Sequence, residues 1–424
     1  MSDEVLKDEV LKDEALKDEV RAPQENIAAV SSAVAQLYDT YPFPPEPMLD
    51  EAPPGYNWRW HWPSAYSFCS ASRPSTDQVR ILDAGCGTGV GTEYLVHLNP
   101  QAEVVAMDLS AGAIAVATER CQRSGADRVT FHNLSIYDVA RIPGEFDMIN
   151  CVGVLHHMPD PIRGIQALAQ KLKPGGILHV FVYAELGRFE IQLTQEAIGL
   201  LQGARKGDYQ DGVYVGRTLF STLPEQNRLR QREETRWALE NHQDECFADM
   251  YVHPQEIDYN VKTLFGLIDA ANLDFVGFSN PQYWDLSRLL GNAPDLMARA
   301  AALETRDRYR LIELLDPEIT HYEFFLSRPP LEQADWTIDE VLLAATPERH
   351  ACMEGWPSRS FFNYDYQVIT VTEKEFAFLE KCEPKQPSPV SSILEEIDLA
   401  REEGLAMVRS LQARQLIMLA SPQK

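Results

Sequence analysis

The stretch ILDAGCGTGVGTEYL, Ile81 to Leu95, constrains this chain more than any other. Val79, Ile81 and Leu82 are apolar and suit a strand that ends at Asp83. Gly85, Gly87, Gly89 and Gly91 follow at alternate positions, and Thr92 to Leu98 reads as the start of a helix. Glycine has no Cβ, so the chain can turn sharply and a ligand can approach its backbone. A strand, a glycine turn and a helix N-terminus together form a ready anion site. The dinucleotide fingerprint is G-x-G-x-x-G. Gly85 and Gly87 would need a third glycine at Val90, and Gly87 and Gly89 one at Thr92, so the pattern here is D-x-G-x-G-x-G instead. A glycine-rich turn without a ligand is the plain alternative.

From Val79 onward, strand and helix patterns alternate, which marks a parallel α/β sheet. Strand two, Val104 to Met107, leads into Asp108. An acid at this place can hold two adjacent ribose hydroxyls, because one carboxylate offers two acceptors. Asp108 could instead cap the helix from Ala111, although Ser110 is available for that job. Strand three is expected over Arg128 to His132 and strand four over Phe146 to Val152. A helix over Pro161 to Leu172, an LKPGG turn and strand five, ILHVFVYAELGR, follow. The residues GVLHH leave strand four at its carboxyl end, where ligands bind in open α/β sheets.

The order DAGCGTG, MDLS, GEFDMINCVGVLHHMPDP, LKPGGILHVFVY resembles the class I S-adenosylmethionine-dependent methyltransferases over about residues 79–188. Within that family it resembles the quinone-methylating members and the broad group around them. The N-terminal YPFPPEP is faintly similar to bacterial protein lysine methyltransferases. The resemblance implies a doubly wound, mostly parallel, seven-stranded Rossmann-like sheet whose last strand runs antiparallel. It implies S-adenosylmethionine bound by Asp83, Gly85, Cys86, Gly87, Thr88 and Gly89, by Asp108 and Leu109, by Ser135 and Ile136, and by Cys151 and Val152. The family usually carries an acid for the adenine amino group where this chain has the neutral Ser135. Asp138 is the nearest acid.

For catalysis, His156, His157 and Tyr183 stand at the right edge of the sheet, with Tyr41 a further pocket candidate. Histidine titrates in the range useful to a base. The HH pair could equally shape the pocket floor. A methyl donor already activated leaves the protein mainly the task of placing a nucleophile. The expected acceptor is a small molecule of quinone, phenol or amine type. A protein lysine-type side chain, or cofactor binding without catalysis, are the alternatives.

Four regions are expected: a charged tail over 1–25, an N-terminal helix and aromatic arm over 26–78, a methyltransferase domain over 79–329, and a C-terminal module over 330–424. The tail is a five-residue repeat, DEVLK, whose apolar pairs make no single helical stripe. In the arm, prolines 42, 44, 45 and 47 follow a helix over Ile27 to Tyr41, and GYNWRWHWPSAY places Trp58, Trp60 and Trp62 together. These aromatics either anchor the arm on the core or form a lid over the site. Helical insertions are expected about 189–270 and 281–320, with RLRQREETRW as a solvated face. The C-terminal segment is similar to small α+β, winged-helix-like modules and is expected to regulate or to make a homodimer.

Composition narrows the partners. A net charge of -26 suits no nucleic-acid backbone, which needs a basic footprint. The seven cysteines include no C-x-x-C pair, so neither a disulfide framework nor a metal site is expected. No signal peptide and no run long enough for a membrane span are legible, so the expected location is the cytoplasm.

Overall fold

The structure, a computed structural model, describes residues 24–351, 353–383 and 387–421. The charged repeat lies outside the described residues. Helix α1 (Gln24–Thr40) leads through the proline-rich stretch to α2 (Trp62–Ser70). Strand β1 (Arg80–Ala84), α3 (Val90–Leu98), β2 (Glu103–Asp108), α4 (Ala111–Ser124) and β3 (Val129–Asn133) follow. Then come β4 (Phe146–Val152), α5 (Pro161–Lys171) and β5 (Leu172–Tyr183).

Local chemistry sets these boundaries. The Ser110 hydroxyl accepts from the Ala113 N–H and caps α4, and Gly125 ends it in the left-handed region at φ 78°. The apolar run of β4 is buried almost throughout because helices cover both faces of the sheet.

Seven strands form one sheet in the order β3-β2-β1-β4-β5-β7-β6, where β6 is Asp274–Phe278 and β7 is His321–Ser327. Strand β7 runs antiparallel to both β5 and β6, and the other pairings are parallel. The chain winds outward from β1 on one side and from β4 on the other. The crevice at their carboxyl ends is therefore the topological switch point.

Residues 189–270 are mainly helical: α6 (Phe189–Gln202), α7 (Tyr209–Thr222), α8 (Asp244–Tyr251) and α9 (Val261–Ala271). The apolar faces of α6, α7 and α8 gather with Leu37 of α1 into one cluster that includes Ile191, Ile198, Trp237 and Phe247, while α9 packs into the core of the sheet. The stretch RLRQREETRW is not wholly solvated. Trp237 is buried in that cluster, and buried Glu233 accepts from the Tyr251 hydroxyl at 2.5 Å and the Asn241 amide at 3.1 Å.

The arm is anchored rather than loose. Trp58 is fully buried, with ring centroids 5.0 Å from Phe68 and 5.8 Å from Phe325. Trp62 is buried and donates to the Thr76 carbonyl at 3.0 Å. Each such burial stabilises by on the order of 2–3 kcal/mol. Trp60 alone of the three lines the central cavity.

The remaining segment contains β8 (Thr346–Arg349), the hairpin of β9 (Ser360–Phe362) and β10 (Val368–Thr370), α10 (Glu373–Lys381), α11 (Val390–Glu396), α12 (Arg401–Ala413) and β11 (Ile417–Ala420). Strand β11 pairs antiparallel with β8. Leu342, Phe378, Val408 and Leu419 belong to a core cluster of their own. This segment meets the arm through Arg73–Glu348 at 2.7 Å and through Trp336, which donates to the Ala71 carbonyl at 2.5 Å. No described helix is long and apolar enough to cross a membrane.

Candidate active site

One cavity of about 830 Å³ opens at the carboxyl ends of β1, β2, β4 and β5. Its first half is built by the glycine turn. Gly85 and Gly87 have φ of 83° and 51°, where side chains are strained. A Cβ on Gly85 would meet Val154 at 2.3 Å, and one on Gly87 would meet the Phe43 carbonyl oxygen at 2.6 Å. The turn is held by the Gly85 N–H donating to the Met107 carbonyl at 2.8 Å and the Gly87 N–H donating to Asp108 Oδ2 at 2.9 Å.

Asp83 ends β1 and is buried. It accepts from the Thr92 hydroxyl at 2.6 Å and from the Asn150 amide at 2.8 Å. Burial pushes its carboxyl up, and these two donors pull it back. Asp108 also accepts from the Ser110 N–H, at 2.9 Å. Since Ser110 caps α4, Asp108 is not the helix cap and lies on the cavity wall with lone pairs to spare.

Of the residues the resemblance implies for the cofactor, Asp83, Gly85, Cys86, Gly87, Asp108, Leu109, Ser135, Ile136 and Val152 line this cavity. Cys151 does not. Successive strand residues face opposite ways, so Asn150 and Val152 reach the cavity while Cys151 is sealed in the core. Thr88 turns its hydroxyl to the Pro44 carbonyl at 2.6 Å, and Gly89 packs on Ala117, so neither side faces the cavity. Ser135 spends its hydroxyl partly on the Tyr137 N–H at 3.3 Å. Neither Asp138 nor Tyr41 lines the cavity.

The segment that crosses the opening is α1 with residues 43–47, upstream of the tryptophans. The Thr88 N–H donates to the Phe43 carbonyl at 3.2 Å. Arg120 donates to the carbonyls of Thr88, Pro47 and Glu46 at 3.0, 2.9 and 2.6 Å. Asp39 of α1 accepts from the Ser110 hydroxyl at 2.6 Å.

The cavity continues past the turn into a second chamber. His157 and Tyr183 line it, with Tyr38, Phe181, Arg188, Asp249 and His321. His156 does not: it is fully buried, its ring 3.9 Å from that of Tyr183 and 4.1 Å from that of His157. His157 Nδ1 must donate to the Gln255 carbonyl at 2.9 Å, which leaves Nε2 as an acceptor. Burial, with Arg188 adding, pulls its pKa down to about 3, so the ring is neutral.

Asp249 comes from α8. It accepts from the Tyr38 hydroxyl at 2.9 Å and the Tyr183 hydroxyl at 3.4 Å. Burial pushes its carboxyl up to about 6, against these donors and Arg188. Arg188 lies 3.4 Å over the Tyr183 ring and is paired with Glu256 at 3.1 Å and Asp258 at 3.5 Å. Tyr38, Arg188 and Asp249 are absent from the sequence reading. An acid inside the apolar run Phe247–Val252 is the signal that points to Asp249.

His157, Asp249 and His253 place one ligating atom each within 4.8 Å of the others, a spacing that could hold a metal ion. The tautomers do not suit one. His253 Nδ1 accepts from the Gln255 N–H at 3.1 Å, so the neutral ring carries its hydrogen on Nε2, the atom a metal would need.

A family profile described as a methyltransferase domain matches residues 82–178, which span the glycine turn, Asp108 and β4. The chain is 60% identical over 398 residues to the protein syc1184_c of Synechococcus sp., covering 93% of this chain and 94% of that one. It is 38% identical over 109 residues to a ubiquinone biosynthesis O-methyltransferase of Xanthomonas campestris, covering 26% of this chain and 44% of that protein. The fold is similar to that of PKMT2 from Rickettsia typhi, solved in complex with AdoHcy, with a TM-score of 0.59 at 16% identity over 88% of this chain and 78% of that one. The glycine turn, the cavity-lining carboxylate of Asp108 and these likenesses agree: the chain shares a family with syc1184_c and belongs to the class I S-adenosylmethionine-dependent methyltransferases.

Proposed function

We propose that this methyltransferase acts on a nucleophile of a small molecule seated in the second chamber. The observation that carries this reading is the continuity of one cavity from Asp108 and Gly87 to Asp249, Tyr183 and His157. The residues of the first half suit the cofactor. Asp108 offers ribose hydroxyls an acceptor, Leu109 and Ile136 offer the purine apolar contacts, and the strained glycines leave room against the backbone. S-adenosylmethionine supplies a methyl group already activated on a sulfonium.

The chain's own residues then orient the acceptor, exclude water and hold its proton. Tyr38, Phe181, Tyr183 and His321 wall the chamber with rings, and α1 covers it. Proximity and alignment of this kind can supply most of the rate. Asp249 and the Nε2 lone pair of His157 are the groups able to accept a proton from the acceptor.

A protein side chain is the second reading. Leu239, 91% exposed, stands on the cavity's rim with Glu240 and His242, where a larger partner would rest. The two readings separate when the protein is incubated with methyl-labelled S-adenosylmethionine and a cell extract, and the label is then divided by size. Label in the low-molecular-weight fraction is expected. Label confined to protein would replace the small-molecule reading with the second, and no label would contradict both.

A further inference from the structure

Asp249 is a buried carboxylate on a cavity wall that forms no ion pair of its own among the described residues. It is 5% exposed. It accepts from the Tyr38 and Tyr183 hydroxyls, and His157 and His253 each bring a ring nitrogen within 4.8 Å of it. The two hydroxyl donors favour an ionised carboxylate, against its burial. Yet among the described residues no lysine or arginine forms an ion pair with Asp249, since the nearby Arg188 is taken by Glu256 and Asp258. A buried charge is costly unless paired.

We propose that the missing counter-ion is the methyl acceptor itself, and that this acceptor is a primary alkylamine entering as its ammonium. The proposal rests on the function proposed above and names the substrate class of the same chamber.

Geometry and charge favour an ammonium over the other acceptors considered. Its three N–H donors need acceptors, and Asp249 and a ring nitrogen of His157 stand within 4.8 Å of each other. Acceptors about 2.8 Å from a tetrahedral nitrogen stand about 4.6 Å apart. The rings of Tyr38 and Phe181 add faces that attract a cation, the Tyr183 ring being covered by Arg188. A phenol offers one O–H donor to these acceptors, where an ammonium offers three N–H donors and a full positive charge.

The transfer balances as follows. The ammonium gives one proton to Asp249. The freed nitrogen lone pair forms the N–CH3 bond while the S–CH3 bond breaks and its electron pair returns to sulfur. The positive charge moves from sulfur to the N-methylammonium product, beside the same aromatic faces. Asp249 then releases its proton to water.

The test uses the full chain loaded with AdoHcy, titrated at pH 7.5 by calorimetry with n-butylammonium chloride, phenol and sodium butyrate. Saturable n-butylammonium binding is expected, about tenfold or more tighter than either other probe. Asp249→Asn should weaken amine binding about tenfold or more while AdoHcy affinity stays near wild type. The comparison of probes on the wild-type protein does not depend on how well the variant folds. A lysine-containing pentapeptide forms the last arm. Tighter binding of n-butylammonium than of the peptide points to a free amine, and the reverse to a lysine side chain. Preference for phenol or butyrate, no saturable amine binding, or an Asp249→Asn variant that binds the amine unchanged would overturn the proposal. Absence of AdoHcy binding would instead overturn the reading of the cofactor half, and this proposal with it.

Discussion

Arg59 of the aromatic arm and Asp83 of the glycine turn are the two ends of one buried chain of polar contacts. Arg59 pairs with Glu323 at 2.7 Å, Glu323 meets His179 at 3.2 Å, His179 meets Asn150 at 2.8 Å, and Asn150 donates to Asp83 at 2.8 Å. Because the Asn150 amide nitrogen faces Asp83, its oxygen faces His179 Nδ1, which must donate. His179 Nε2 then faces a carboxylate, so the His179–Glu323 pair holds one further proton between its members. The chain crosses β7, β5, β4 and β1 and ties the arm to the cofactor crevice.

Glu323 makes this chain sensitive to acid. Burial pushes its carboxyl up, but His179, Arg59 and Ser279 outweigh that and hold it at about 2. The folded pKa is depressed, so the stabilisation is present above the ordinary value of 4.5 and is lost as pH falls toward 2. The shift corresponds to about 3 kcal/mol. Glu323→Gln is expected to unfold at lower denaturant concentration than wild type at pH 7, with the difference shrinking between pH 4.5 and 2. Equal midpoints at pH 7 would refute it.

Asp108 has two duties. Asp108→Ala removes the ribose acceptor and also the partners of the Gly87 and Ser110 N–H groups. AdoHcy affinity should fall about tenfold or more, and the ligand-free protein should lose about 1–3 kcal/mol. Calorimetry and denaturant titration read the two effects separately. Unchanged affinity would place the ribose elsewhere.

Gly87→Ala should act on the arm as well as the site. The added Cβ would sit 2.6 Å from the Phe43 carbonyl, so residues 43–47 must shift. Faster proteolysis of the arm is expected, together with weaker AdoHcy binding. Wild-type rates of cleavage would mean the arm is not held by the turn.

Catalysis should follow the ionisation of Asp249. Its carboxyl sits at about 6 and accepts the acceptor's proton only when ionised. Turnover per unit substrate, kcat/KM, should therefore rise with pH through about 6. Asp249→Asn should lower it about a hundredfold or more and remove that rise. A variant that keeps the wild-type pH profile would assign the rise to another group.

The tryptophans divide by position. Trp60 and Trp237 line the cavity, whereas Trp58 and Trp62 are sealed in the core. Ligand-induced fluorescence change should vanish in Trp60→Phe with Trp237→Phe. Trp58→Ala should instead cost about 3–5 kcal/mol of stability. A full fluorescence response in the double variant would return the lid to the buried aromatics.

The sheet was legible because its information is local. Apolar runs ending in Asp83 and Asp108, and glycines at positive φ, declare themselves within a few residues. Errors followed where direction matters: Cys151 and His156 sit in the right segments, but strand alternation and ring packing turn them away from the cavity. The acceptor chamber was legible only in His157 and Tyr183. Tyr38, Arg188 and Asp249 lie up to 211 positions apart and meet only because α1 and α8 pack over the same crevice. Charged insertion sequence looks solvated until its partner helix is known, as Glu233 shows with Tyr251.

The crystal structure of the full chain with AdoHcy tests the central claim most directly. The account predicts the ribose on Asp108, the purine between Leu109 and Ile136, and the sulfur directed at the chamber of Asp249, Tyr183 and His157. A ribose away from Asp108, or a sulfur that faces away from Asp249, would contradict it.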